Sequence, residues 1–84
     1  MKNILIIEDD INLRKYMKDF LTSYEYNVEL VTDFDKVKEK ALESSIDLIL
    51  LDINLPKFDG FYFLKVIRKK VSTPIIIISS RSEE

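Results

Sequence analysis

At 84 residues, 46% apolar and 33% charged, the chain has the make-up of one folded domain with a small core, not of a disordered segment. With no Cys and no His, disulfides, thiolate or imidazole metal sites and Cys- or Ser-His-based nucleophiles are excluded, and a lone Gly60 excludes G-x-G-x-x-G and Walker-type phosphate loops. A formal charge of −2 gives no electrostatic case for nucleic acid bound by the chain itself, and apolar runs of four residues fall far short of a membrane span or signal-peptide core. The expectation is a cytoplasmic domain that touches neither membrane nor nucleic acid.

The elements follow in chain order. Ile4-Leu5-Ile6-Ile7 is an unbroken apolar run that stops at Glu8-Asp9-Asp10, the pattern of a strand buried on both faces. This first strand, over residues 3–7, feeds a helix beginning near Asp10 or Ile11. The carboxylate of Asp10 suits the N-cap, and Leu13, Met17, Phe20, Leu21 and Tyr24 recur at helical spacing as one apolar face. Residues 27–32, with Val28, Leu30 and Val31, form the second strand. Asp33 caps a second helix whose stripe is Phe34, Val37, Ala41 and Leu42, ended by Ser44-Ser45. The third strand covers 46–53, where Leu48-Ile49-Leu50-Leu51 stops at Asp52. A third helix runs from about Gly60 to Lys70, packing Phe61, Leu64 and Ile67, and the fourth strand covers 74–79.

Strand and helix alternate throughout, which with right-handed crossovers gives an α/β fold with a parallel sheet. Strands one, three and four are apolar enough to be interior, and the more polar second strand belongs at an edge. The resulting order is 2-1-3-4, with its reversal between strands one and three. Ligands of open α/β sheets bind at the carboxyl ends of the strands, at such a reversal, and both acidic clusters lie there. Carboxylates crowded together repel and raise one another's pKa unless a cation intervenes. The pattern calls for a hard divalent metal.

IIEDD after the first strand, LLDINLPKFDG around the third and TPIIIISSR at the fourth together resemble a bacterial two-component response-regulator receiver domain. The closing RSEE and the phrase LPKFDGFYFLKVIRKK are similar to the subfamily whose members carry a winged-helix DNA-binding domain downstream. The resemblance implies a flavodoxin-like sheet, one receiver domain over 1–84 and truncation after the fourth strand, since the family's last helix-strand-helix portion has no counterpart here. It implies phosphorelay signalling in which Asp52 takes a phosphoryl group from a sensor histidine kinase, to drive a transcriptional output without turnover as an enzyme. Glu8 and Asp9 would hold Mg²⁺ with Asp52 and the backbone carbonyl of Asn54, and Ser79 would hydrogen-bond the phosphoryl group. The family's strand-five lysine and switching aromatic residue are absent, which bears on the efficiency of transfer and output.

Each residue also has a plainer reading. Asp10 serves as a helix cap, Asp59-Gly60 as a turn, Pro56 as a stiffener of its loop, and Ser79-Ser80 as a strand end. Lys65, Arg68, Lys69 and Lys70 read as a solvated helix end favoured by the dipole. Arg14 and Met17 lie on the helix that family members use to dock the kinase, with core packing as the alternative for Met17. A phosphohydrolase of the haloacid-dehalogenase type or a Toprim nuclease would need a second acid where Asp52-Ile53-Asn54 has Asn54. A third alternative is a truncated or engineered receiver fragment serving folding or assembly.

The fourth strand carries one more expectation. Ile75 to Ile78 are all large and apolar, and without a fifth strand they leave an open edge. Only the first helix would then cover one sheet face. A symmetric homodimer or swapped assembly, with strand four at or near the contact, is expected.

Overall fold

A computed structural model describes residues 1–31, 33–53, 55 and 60–79 of the chain, and of Phe34 its backbone alone. The elements are β1 (Asn3–Ile7), α1 (Ile11–Ser23), β2 (Asn27–Leu30), a 3₁₀ turn (Phe34–Lys36), α2 (Val37–Ala41), β3 (Leu48–Asp52), α3 (Gly60–Lys70) and β4 (Ile75–Ile78). All strand pairs are parallel and the order is β2-β1-β3-β4, as the polarity of the strands requires.

β1 has the expected bounds, while β2, β3 and β4 are shorter than the expected 27–32, 46–53 and 74–79. Before β3, the Asp47 carboxylate accepts the Asn3 amide hydrogen at 2.7 Å, while the Asp47 amide donates to the Asn3 carbonyl at 2.8 Å. After the 27–30 strand the chain turns into the 3₁₀ segment. Asp33 caps this segment as expected, its carboxylate accepting from the Asp35 amide at 3.1 Å and its carbonyl from Lys36 at 2.9 Å. Thr32, the expected end of the second strand, lies outside the described residues.

The core lies on the sheet face covered by α2 and α3, where Leu5, Ile7, Ile49 and Leu51 meet Val37, Ala41, Phe63 and Ile67. Side chains alternate along a strand, so Ile4 and Ile6 point to the other face, and both are buried. Leu21 of α1 shares a cleft with Ile4 and Leu48 on that side. There α1 is the only helix among the described residues and none of its side chains is fully buried, whereas Leu13, Met17 and Leu21 are half-buried.

Four expected core residues are therefore corrected, and a fifth is left undescribed. Phe20 and Tyr24 stand 50% and 64% exposed on α1, with no second helix beside them among the described residues. They stack in a ladder with Tyr16, ring centroids 6.3 and 5.2 Å apart, which removes some apolar area without a core. Leu42 falls just past the short α2 and is exposed, leaving Val37 and Ala41 to carry its burial. On α3 the buried stripe is Gly60, Phe63 and Ile67 with Leu64 beside it, and Phe61 is exposed. The side chain of Phe34 is outside what is described.

β4, apolar enough for the interior, is an outer strand among the described residues, with Ile76 half exposed and Ile77 partly so. The opposite outer strand is polar: β2 carries Asn27 and Glu29, and Lys40 pairs with Glu29.

Candidate functional site

Glu8 and Asp9 follow the last residue of β1, and Asp52 is the last residue of β3. Ile7 is paired with Leu51, so the register brings Glu8 level with Asp52 on the adjacent strand. One carboxylate oxygen from each of Glu8, Asp9 and Asp52 lies within 4.8 Å of the others. Glu8 and Asp52 are fully buried and Asp9 is half-buried. The parallel pairing of two apolar strands, each ending in an acid, is what converts residues 44 positions apart into one cluster.

Glu8 is the electrostatic focus. Burial pushes its carboxyl up to about 7, against the lowering effect of the Asp10 amide, and the charge of Asp52, a hydrogen bond shared with Asp52 and the charge of Asp9 add to the rise. Its Oε2 accepts the Asp10 amide hydrogen at 3.0 Å, while Oε1 is buried and accepts no hydrogen bond from a donor group among the described residues. A buried oxygen without a donor, beside two further carboxylates, fits a cation. The all-oxygen donor set suits Mg²⁺ or another hard divalent ion and no soft metal.

The surrounding residues separate into site and scaffold. Asp10 is the helix cap expected of it, its Oδ1 accepting the Leu13 amide hydrogen at 3.0 Å. Ser79 directly follows Ile78, which is level with Asp52 on β4, and so lies at the same sheet edge. Asn54, Pro56, Asp59 and Ser80 lie outside the described residues. The Arg68 guanidinium donates to the Val71 carbonyl at 3.2 Å, and Lys65, Lys69 and Lys70 are exposed, as a solvated helix end requires.

Two residues at the site escape a reading of the sequence. Gly60 has no positive φ, so its role is space, not an unusual turn conformation. A Cβ there would collide with the Ile53 Cα and lie 2.8 Å from the Asp52 carbonyl oxygen. The first turn of α3 thus crosses directly over the end of β3. Its position as the chain's single glycine, eight residues after Asp52, was the available signal. Arg14 is the other: its Nη1 donates to the Glu8 backbone carbonyl at 3.1 Å.

Residues 4–84 match the response regulator receiver domain family. The chain is 40% identical over 84 residues to the transcriptional regulatory protein YxdJ of Bacillus subtilis (strain 168), covering all of this chain and 37% of that protein. It spans only about 35–38% of the length of the curated relatives it matches. Among solved structures, the N-terminal domain of the nisin resistance regulator NsrR superposes with a TM-score of 0.87 at 43% identity, covering 100% of this chain and 71% of that one. A chain in the complex of the histidine kinase ThkA with the response regulator TrrA gives a TM-score of 0.85 at 30% identity, over 99% of this chain and 72% of its own. The receiver domain of the sensor histidine kinase PA1611 from Pseudomonas aeruginosa PAO1, with a magnesium ion in its active site cleft, gives 0.84 at 30% identity, over 95% and 68%. No helix among the described residues is long and apolar enough to cross a membrane.

Proposed function

The chain belongs to the response regulator receiver domain family, and on that footing we propose that Asp52 accepts a phosphoryl group from a sensor histidine kinase, with Mg²⁺ as cofactor. The observation that carries this reading is the meeting of Glu8, Asp9 and Asp52 at two adjacent strand ends, with one buried Glu8 oxygen lacking a donor. Those three carboxylates would hold the ion, and the backbone carbonyl of Asn54 would complete the set.

In the transfer, a carboxylate oxygen of Asp52 bonds to phosphorus while the phosphorus–nitrogen bond of the donor imidazole breaks and its nitrogen keeps the electron pair. The product is an acyl phosphate on Asp52. When bound, Mg²⁺ neutralises charge on the transferring group. Burial of Glu8 and Asp52 keeps water from competing at the acceptor. Ser79, at the same edge, would donate its hydroxyl hydrogen to a phosphoryl oxygen. The chain is modified in place in the cytoplasm and does not turn over as an enzyme, and the modified state regulates transcription.

Two measurements on the 84-residue chain test this. Titrating Mg²⁺ while following amide shifts should move residues 7–10 and 52–53 first. Acetyl phosphate should label Asp52, and Asp52→Asn should abolish the label. Labelling at another residue would sink the assignment.

A second copy of the chain is a further proposed partner, in a homodimer or swapped assembly at β4. The contrast between the two outer strands supports it: β2 is guarded by Asn27 and Glu29, whereas β4 is four isoleucines with Ile76 50% exposed.

A further inference from the structure

We propose that Arg14 is a positioning residue that holds the acidic turn in the geometry that accepts a divalent cation, a role that rests on reading Glu8, Asp9 and Asp52 as cation ligands. Residues 8–10 link the end of β1 at Ile7 to the start of α1 at Ile11, and Asp10, the N-cap, accepts the first bond of the helix through its carbonyl. What orders them is a closed circuit of bonds. The Asp10 amide donates to Glu8 Oε2 at 3.0 Å, the Leu13 amide to Asp10 Oδ1 at 3.0 Å, and the Arg14 amide to the Asp10 carbonyl at 2.8 Å. The Arg14 guanidinium then returns to the Glu8 carbonyl at 3.1 Å. Arg14 thus grips both ends of the turn, one through its backbone and the other through its side chain.

The carbonyl it takes is one that the sheet has given up. On the β2 side of β1, Lys2 and Ile6 accept from Asn27 at 2.9 Å and Val31 at 3.2 Å. Carbonyls alternate sides along a strand, so Glu8 is next in that row. Beyond Val31 the chain turns away into the 3₁₀ segment, and the half-buried Arg14 supplies the missing donor. A free Glu8 carbonyl would let its peptide plane rotate, carrying the buried carboxyl and the neighbouring Asp9 with it.

A competing role for Arg14 is that of a counter-charge, and the two make opposite predictions. A cation that acts by its field competes with a bound metal, so removing it would tighten metal binding. A cation that acts by holding ligands in place strengthens metal binding, and removing it weakens binding. The guanidinium donates to the neutral backbone carbonyl of Glu8, which favours the second role.

The test uses the whole chain as wild type, Arg14→Met, which keeps the apolar stem, and Arg14→Lys, which keeps charge and one donor head. Without metal, amide hydrogen exchange at residues 9 and 10 should quicken in Arg14→Met while β3 and β4 keep their protection. With Mg²⁺, followed by amide shifts, the affinity of Arg14→Met should fall about tenfold, the low end of the loss typical for partners that orient metal ligands. Arg14→Lys should lie between the two and keeps the test open if Arg14→Met does not fold. A wild type that binds Mg²⁺ with both variants unchanged or tighter overturns the positioning role alone. A wild type that ignores Mg²⁺ overturns the cation reading of the three acids, and the positioning role with it.

Discussion

Glu8 and Asp52 stand level on adjacent parallel strands, both fully buried, and burial, with the charge of Asp52 beside it, pushes the Glu8 carboxyl up to about 7. Glu8 therefore holds a proton where the proposed function needs a metal, and binding one means releasing the other.

The sign of the pH dependence follows. The Glu8 pKa rises from 4.5 to about 7 on folding, so between those values the native state binds a proton that the unfolded chain does not. Stability without metal should be fullest below pH 4.5, as far as this group is concerned, and fall as pH rises toward 7, by at most roughly 1.4 kcal/mol per unit. Urea unfolding at a series of pH values should show this decline, and Glu8→Gln should flatten it. At pH 7.5 and without metal, Glu8→Gln should match or exceed the wild type in stability while losing its response to Mg²⁺.

Gly60→Ala should cost about 1–3 kcal/mol, the range for overpacking, because the atoms its Cβ would meet are backbone atoms of Ile53 and Asp52 that cannot swing aside. The displaced atoms belong to the proposed acceptor, so labelling of Asp52 by acetyl phosphate should slow as well. Urea midpoints and labelling rates, measured side by side, would show whether stability and acceptor geometry fall together.

Glu25 sits at φ 70°, in the left-handed region, just after α1. The Tyr26 amide donates back to the Leu21 carbonyl at 3.3 Å and the Glu25 amide to Thr22 at 2.9 Å, so the turn that ends the helix requires this conformation. A side chain there is strained and, being exposed, gains little from packing. Glu25→Gly should raise the urea midpoint by about 1 kcal/mol in unfolding free energy. A drop in stability would mean that the Glu25 side chain makes a contact worth more than the strain.

Self-association at β4 should be visible by sedimentation equilibrium, with the chain running as a dimer at micromolar concentration. Ile76→Lys places a charge on a half-exposed edge position, the device natural edge strands use against pairing, and should shift the chain toward monomer. A cooperatively folded wild-type monomer refutes the assembly.

The limits of β1 and α3, the start of α1 and the sheet order were legible in the residues. Four-residue apolar runs end sharply at acids, Asp10 suits the N-cap it occupies, and Asn27 and Glu29 mark β2 as an outer strand. The acidic cluster was legible for the same reason, since parallel strands align their carboxyl ends and bring Glu8, Asp9 and Asp52 to one edge. Local pattern could not choose which flank of a helix is covered. Phe61 and Phe63 are equally apolar, and the close passage of Gly60 over Ile53 is what turns Phe63 inward. Phe20 and Tyr24 satisfy helical periodicity yet stay in solvent, because burial depends on what stands beside α1 and not on α1 itself. Likewise the acids alone imply repulsion, but the rise of the Glu8 carboxyl comes first from its burial, with one oxygen left without a donor. Sequence determined which groups reach the sheet edge, through the period of two along each strand. Tertiary structure alone decided their solvation, because desolvation arises only when elements distant in the chain are packed together, whereas the Arg14 bond to Glu8 depends on how α1 leaves β1.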